Sequence, residues 1–218
     1  MASGEKMVEN PDTAVQARAP NTKDRLIAAA REIMIERNAV EFSLQDVAAR
    51  SGLNSALVKY HFGNKDGLLL ALLERDAELS LKQVERLVAR DMPATEKLRV
   101  HISGIIETYF RKPYMNRLVH QLIHERGDEP ANAVLRFFVE PLAGFQRMIL
   151  EQGVMSGEFK RVDPGFFYHA VGSACDALFT WHPEARRIWG VATISDAQRR
   201  LYADFVVDLV LNGLVRRD

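Results

Sequence analysis

The sequence predicts an all-α protein: an N-terminal three-helix head carrying a helix-turn-helix, then a C-terminal helical block, about nine helices in all. Three observations predict it. Apolar residues recur at three- and four-residue spacing from Asn21 almost to the end. Strand-like alternation is nowhere sustained, and no internal repeat or low-complexity tract interrupts the pattern. Helix start and stop signals punctuate the chain, with Ser, Asn, Asp or Pro before the apolar runs and Asn, Gly or Pro after them.

Residues 1–20 lack periodicity and hold Gly4, Pro11 and Pro20, so they are expected to form a disordered arm. The first helix is predicted at about Thr22–Arg37, where Leu26, Ile27, Ala30, Ile33 and Met34 share one stripe, and Asn38 stops it. A second begins at Ser43, which forms a capping-box pattern with Asp46. Gly52 supplies a turn, and a third short helix covers about Ser55–Tyr60. Gly63 and Asn64 stop and restart the chain, leading into a linking helix at about 65–90.

The block from residue 91 to 218 then holds five more. Pro93 opens a helix at about Ala94–Arg111, with Leu98, Ile102, Ile105, Ile106 and Tyr109 inward, and Pro113 ends it. A short helix follows at about Tyr114–Arg126, and a long one at about Ala131–Ser156 after Pro130. Asp163 and Pro164 start the next, about Pro164–Trp181. Ser195, with Gln198 three residues on, caps the last, to about Asn212. The domain division expected is therefore head 21–64, link 65–90 and body 91–218.

Composition narrows the function classes. The 218 residues are 47% hydrophobic, enough for a substantial core, and formal net charge is +0. A non-specific nucleic-acid coat would be basic, so any DNA contact must be local. The lone Cys175 excludes a disulfide framework or a multi-cysteine metal site and fits a reduced cytosol. Apolar runs are broken by charge well short of the roughly 18 residues a membrane span needs, and no basic-then-apolar leader opens the chain. The expectation is a cytoplasmic protein with no membrane partner and no cofactor.

The chemistry concentrates in Ser43–Phe62. A helix that reads DNA must be short, must protrude, and must be held at a fixed angle by a partner helix. Here Leu53 and Val58 can anchor the third helix, leaving Ser55, Ala56, Lys59 and Tyr60 outward. Lys59 suits a phosphate or a guanine edge, and Tyr60 and His61 can hydrogen-bond phosphate. Lys65 adds a positive charge where the amides of the fourth helix already favour an anion. With Ser43 and Asn54 these residues make the candidate DNA-binding set: Ser43, Asn54, Ser55, Lys59, Tyr60, His61 and Lys65. The plainer reading, a packed short helix, accounts for Phe62 but not for the cluster beside it.

Residues 22–70 resemble the tetracycline-repressor (TetR) family of bacterial transcription regulators. The match lies in Ala29–Ala30, Ser43-Leu-Gln-Asp-Val-Ala48, Gly52, Tyr60-His-Phe62, Lys65 and Leu68–Leu69. The sequence departs from the common pattern at Asn38, Leu57 and Lys59. The resemblance implies a homodimer with one operator half-site per head, a small-molecule pocket in the body, and a four-helix interface built from the last two helices of each copy. Effector binding would then spread the heads and release DNA. Within residues 22–70 seven Lys or Arg face six Asp or Glu, so a shallow salt dependence is expected.

The body supplies candidates for the effector site: Tyr109, His120, His124, Phe145, His169, Cys175 and Phe179, aromatic bulk mixed with polar groups. An apolar or aromatic molecule follows. Most of these aromatics also suit a plain core, and Cys175 a small buried hydrophobe. His120 and His124, four apart, can share a metal, with His101 or His169 as third ligand, which makes a metal-dependent enzyme the alternative. The sequence lacks the Glu after the first His that a metalloprotease helix carries; Gln121 stands there. No nucleophile–base pairing or phosphate loop points to catalysis either, so the chain is expected not to be an enzyme.

Overall fold

A computed structural model describes residues 21–180, 187–188, 190 and 193–215. The expected N-terminal arm and Trp181 lie outside the described residues. Among the described residues each of the nine predicted helices has a counterpart, the one expected at 131–156 being divided into α7, a π segment and α8. The elements are α1 (Thr22–Arg37), α2 (Leu44–Ser51), α3 (Ala56–Phe62), α4 (Lys65–Ala89), α5 (Ala94–Arg111), α6 (Met115–His124), α7 (Asp128–Val134), α8 (Glu140–Met155), α9 (Pro164–Thr180) and α10 (Asp196–Leu214). Among the described residues the one β feature is an isolated antiparallel bridge between Phe159 and Val215.

Local chemistry explains the boundaries. The Asn21 side chain accepts from the Asp24 amide at 2.9 Å to start α1, and Asn38 ends it in the left-handed conformation at φ 48°. Ser43 and Asp46 form a reciprocal capping box on α2, as Ser195 and Gln198 do on α10. Helix α5 begins after Pro93, which brings no side-chain cap. Its first amides are served from a distance: the Glu158 carboxylate accepts from Ala94 at 3.0 Å and from Thr95 at 2.9 Å. Although burial works against its charge, these and the Thr95 and Ser156 hydroxyls hold the Glu158 carboxyl down at about 2.

The long helix expected at 131–156 begins earlier and is not uniformly α. Helix α7 runs without a break through a π segment, Leu135–Val139, into α8. Pro141 lies just after that segment, at the start of α8. It has no amide hydrogen to give and its ring crowds the carbonyl four residues earlier, so the wider π turn accommodates it without ending the helix.

Two apolar clusters fill the interior. The first joins α1, Val47, Val58 and the N-terminal half of α4 to Tyr114, Met115, Leu118, Leu122, Val134 and Phe138. It therefore runs across the boundary expected between head and body. The second packs α5, α8, α9 and α10 around Leu98, Ile102, Ile106, Val171, Cys175 and Val207.

Where the first cluster meets the body, a carboxylate is buried. Asp76 on α4 is 2% exposed. It receives Arg31 of α1 at 2.7 Å, the Lys112 ammonium at 3.1 Å and the Tyr114 hydroxyl. Burial opposes the charge on Arg31, yet Asp76 and Tyr114 leave its pKa raised; burial and the nearby carboxylate push the Tyr114 phenol up. Two arginines reinforce the junction. Arg117 of α6 donates to the Asn38 carbonyl and side-chain oxygens, each at 2.5 Å, and Arg126 lies 3.3 Å from Asp66. Among the described residues no helix is long and apolar enough to cross a membrane.

Removing Asp76 leaves two cations and a phenol facing an apolar core. Asp76→Ala is expected to lower stability by about 3–5 kcal/mol. Tyr114→Phe, which removes one partner and keeps the ring, should cost about 1–3 kcal/mol. Urea unfolding of the purified chain measures both; a loss for Asp76→Ala no larger than that for Tyr114→Phe would show that the cluster does not act as a unit.

Candidate functional site

The helix-turn-helix is assembled by the core beneath it. Val58 is fully buried, and Leu53, Leu57 and Phe62 pack half-buried against the same cluster. Ala56, Lys59 and Tyr60 are left outward, with Tyr60 81% exposed. The turn between α2 and α3 uses Gly52 at φ 66°, a conformation that side chains disfavour. At the other end of α3, a Cβ on Gly67 would lie 2.0 Å from the Phe62 carbonyl oxygen. Glycine is thus required for α4 to press against the end of α3. The turn at Gly52 sets where α3 begins and the close contact at Gly67 holds its end, which gives it a defined angle.

Seven side chains were expected to serve this face, and the structure sorts them. Lys59 and Tyr60 project outward, and half-buried His61 packs edge-on to Tyr60 with ring centroids 4.8 Å apart. Ser55 is half-buried at the start of α3. The other three have internal partners. The Ser43 hydroxyl is spent on the α2 capping box. Asn54 accepts from the Ala56 amide at 2.8 Å. Lys65 donates to the Phe42 carbonyl at 2.6 Å and lies over the Phe42 ring, 4.5 Å from its centroid. Burial and the charge of Arg126 lower the Lys65 pKa.

The other cations of the head are similarly engaged. Arg25 donates to the Ser51 carbonyl, Arg31 meets Asp76, Arg37 meets Asp46, and Arg50 reaches Glu32 and Glu36. With Lys65, five of the seven Lys and Arg within residues 22–70 are held by internal partners. Lys23 and Lys59 remain without an ion pair among the described residues.

A cavity of about 350 Å³ lies in the body, walled by α4, α5, the π segment and α8. Leu87, His101, Met115 and Phe138 form its buried floor, and Arg86, Arg90, Val100 and Gly104 are exposed at its rim. Of the seven effector candidates, only Tyr109 lines it. Phe145 lines a second cavity of about 450 Å³, with Glu74, Arg75, Phe137 and Pro141. Cys175 and Phe179 are core residues of the second cluster, and burial beside Asp176 pushes the Cys175 thiol up to about 12. His120, His124 and His169 are exposed and line neither cavity. On α6 the inward stripe is Leu118, Gln121 and Leu122, and residues 120 and 124 fall on the opposite side.

His120 and His124 do lie together, with ring centroids 4.5 Å apart. Neither His101 nor His169 joins them, and among the described residues no group of three or more His, Cys, Asp or Glu is placed to hold a metal.

Sequence reasoning missed His101 as a cavity residue. Its ring is 3% exposed, and its Nε2 lies 2.9 Å from the Gln146 amide nitrogen, with Gln146 itself 2% exposed. Burial lowers the His101 pKa to about 4, so the imidazole is neutral near pH 7. Gln146 Oε1 has no hydrogen-bond partner among the described residues. The signal available was a polar pair inside otherwise apolar stripes of α5 and α8.

Comparison with known proteins matches both halves of the chain. Residues 26–72 match the family model described as bacterial regulatory proteins, tetR family. Residues 91–218 match the model described as tetracyclin repressor-like, C-terminal domain. The chain is 24% identical over 210 residues to the HTH-type transcriptional repressor NicS of Pseudomonas putida, covering 94% of this chain and 98% of that protein. Among solved structures, FadR from Bacillus subtilis in complex with stearoyl-CoA aligns with a TM-score of 0.69 at 19% identity, over 87% of this chain and 97% of that one. AibR in complex with isovaleryl coenzyme A and operator DNA aligns at 0.66 and 19%, over 86% and 96%. At these identities the two structures speak for the fold.

The buried imidazole makes stability depend on pH. Its folded pKa lies near 4, below the ordinary 6.5, so the unfolded chain takes up the proton first as pH falls. The contribution is fully present above pH 6.5 and is lost between there and pH 4. At pH 5 the loss is about 2 kcal/mol relative to pH 7. Urea unfolding at the two pH values should show this difference in the parent chain and a smaller one, by that amount, in His101→Phe; equal pH dependence in both would count against it.

Proposed function

The chain belongs to the TetR family of bacterial regulatory proteins, and from that premise we propose that it is a cytoplasmic, homodimeric repressor released from a palindromic operator by a small, largely apolar effector. In this reading residues 21–64 are the DNA-binding head, α4 the link and residues 91–218 the effector-binding and dimerisation domain. The observation that carries it is the presentation of α3: a short helix anchored by Val58 and braced at its end by Gly67 of α4, with Lys59 and Tyr60 free to enter a major groove.

Ser55, Lys59, Tyr60 and His61 are the proposed DNA contacts. Ser43, Asn54 and Lys65 are proposed to act at the DNA backbone, with their present partners fixing where they stand. The amides at the start of α4 favour a phosphate there.

The last two helices support a dimer. Val206, Val207 and Leu211 of α10 turn inward, while Leu201, Phe205 and Leu209 are 70%, 62% and 59% exposed; Phe166 of α9 is 80% exposed. Large apolar side chains aligned on one outer face are costly in water and suit a self-complementary two-fold contact. The effector site is proposed to be the cavity under Tyr109 and His101. The solved relatives hold acyl-CoA ligands, FadR stearoyl-CoA and AibR isovaleryl coenzyme A, which supports a ligand with an apolar body. Release is a shift in the populations of two head spacings, driven by a ligand that favours the wider one.

Binding to the chain's own upstream DNA tests the reading. Lys59→Ala combined with Tyr60→Ala is expected to weaken binding at least tenfold while light scattering still reports a dimer. Unchanged affinity, or a monomer at micromolar concentration, would refute it. With two cations per head at the proposed DNA face, Lys59 and Lys65, raising salt from 50 to 200 mM should cost a dimer only about 150-fold in affinity, at the shallow end of the usual range. A loss of 10⁴-fold would contradict the electrostatics of this head.

A further inference from the structure

The cavity is chemically lopsided. Its floor is apolar apart from His101, which is neutral near pH 7, and among the described residues no Asp or Glu lines it. Its rim carries Arg86 in the last turn of α4 and Arg90, the C-cap residue just beyond that helix, both exposed. Neither makes an ion pair or a side-chain hydrogen bond among the described residues. Other arginines on the helices that wall the cavity are matched: on α4 Arg75 with Asp24, and on α5 Arg99 with Glu96 and Asp208 and Arg111 with Glu107.

Like charges four residues apart repel. The carbonyl end of α4 offsets part of that repulsion without occupying the guanidinium donors. Two planar forks with free donors are suited to a carboxylate or phosphate, held bidentately. The facing lip is open: Val100 is 45% exposed, and a Cβ on Gly104 would meet nothing within 4 Å. An anionic group at the rim can therefore reach both arginines while its apolar part descends past Val84 and Ile105 to Phe138.

We propose that the effector is an anionic amphiphile, its apolar chain in the cavity and its carboxylate or phosphate across Arg86 and Arg90. This rests on the reading of the cavity as the effector site. The anionic head can come from a free fatty acid or from the phosphates of an acylated carrier; the shared requirement is negative charge at the rim joined to an apolar body.

Calorimetric titration of the full chain with octanoate, octanoyl-CoA, coenzyme A and 1-octanol tests it. At least one of octanoate and octanoyl-CoA should bind about tenfold or more tightly than octanol at low salt. Coenzyme A alone should bind weakly. Preference between octanoate and octanoyl-CoA identifies the carboxylate or the phosphates as the natural head. Arg86→Gln with Arg90→Gln should bring the anions to within about twofold of octanol and leave octanol itself unchanged. If octanol matches the anions in the parent chain, or the anionic advantage survives the double substitution, the rim assignment falls and the cavity reading stands. If no probe binds, or if octanol affinity is untouched by Leu87→Trp on the cavity floor, the cavity reading falls and takes this proposal with it.

Discussion

A single buried carboxylate sets the geometry of this protein. Asp76 can remain charged in an apolar interior only if its charge is answered. The answers come from three places: Arg31 on α1, Lys112 just beyond α5 and Tyr114 at the start of α6. Their alignment fixes where α1 stands relative to α4 and to the body. Apolar packing alone allows helices to slide with modest loss, whereas a charge cluster with one satisfied arrangement does not. Arg117 on Asn38 and Arg126 near Asp66 extend the same constraint along α6. The head is not a separate bead on a linker; it shares a core and a charge cluster with the body.

Helix α4 connects this cluster to the cavity. It is a rod of 25 residues, about 37 Å long. Asp76 lies near its middle, the cavity wall is formed by its second half, and its first turn abuts α3 through Gly67. In the proposed mechanism a ligand seated against Leu87 and Arg86 acts on a stiff element whose other end braces the DNA-facing helix. Coupling then needs a small displacement of one helix and no chain of side-chain rearrangements.

Much of the fold was legible because its boundaries are written in local chemistry. Asn21, Ser43, Gly52, Asn64 and Ser195 each act within four residues, so their roles can be read without knowing the tertiary structure. The exposed pair Lys59 and Tyr60 was legible because Val58 marks the buried side of a helix only seven residues long. The cavity was not. Its wall draws on residues 80 to 142, and its polar member, His101, looks in sequence like any other histidine on an amphipathic helix. The histidines singled out on α6 share a helix face with each other but not with the body's interior. Glu158 was equally hidden, since it caps a helix more than sixty residues away. The π segment had a visible cause in Pro141, which falls ten residues inside the helix expected at 131–156, where a regular α turn has no room for its ring.

The internal pairing of the head's arginines bears on how a regulator finds its target. Non-specific attraction to DNA is set by the cations available to displace counterions. A chromosome offers about 10⁶ or more competing sites, and a strongly basic head spends most of its time on them. In the proposed reading, a head whose arginines are already paired with Asp46, Glu32 and Glu36 has few cations left for random sequence and would stay largely in solution. Its search would then proceed by repeated three-dimensional collisions, with short residence on random sequence and little sliding. A few copies per cell would remain available to an operator, with the level of free protein tracking its synthesis and not buffered by the genome.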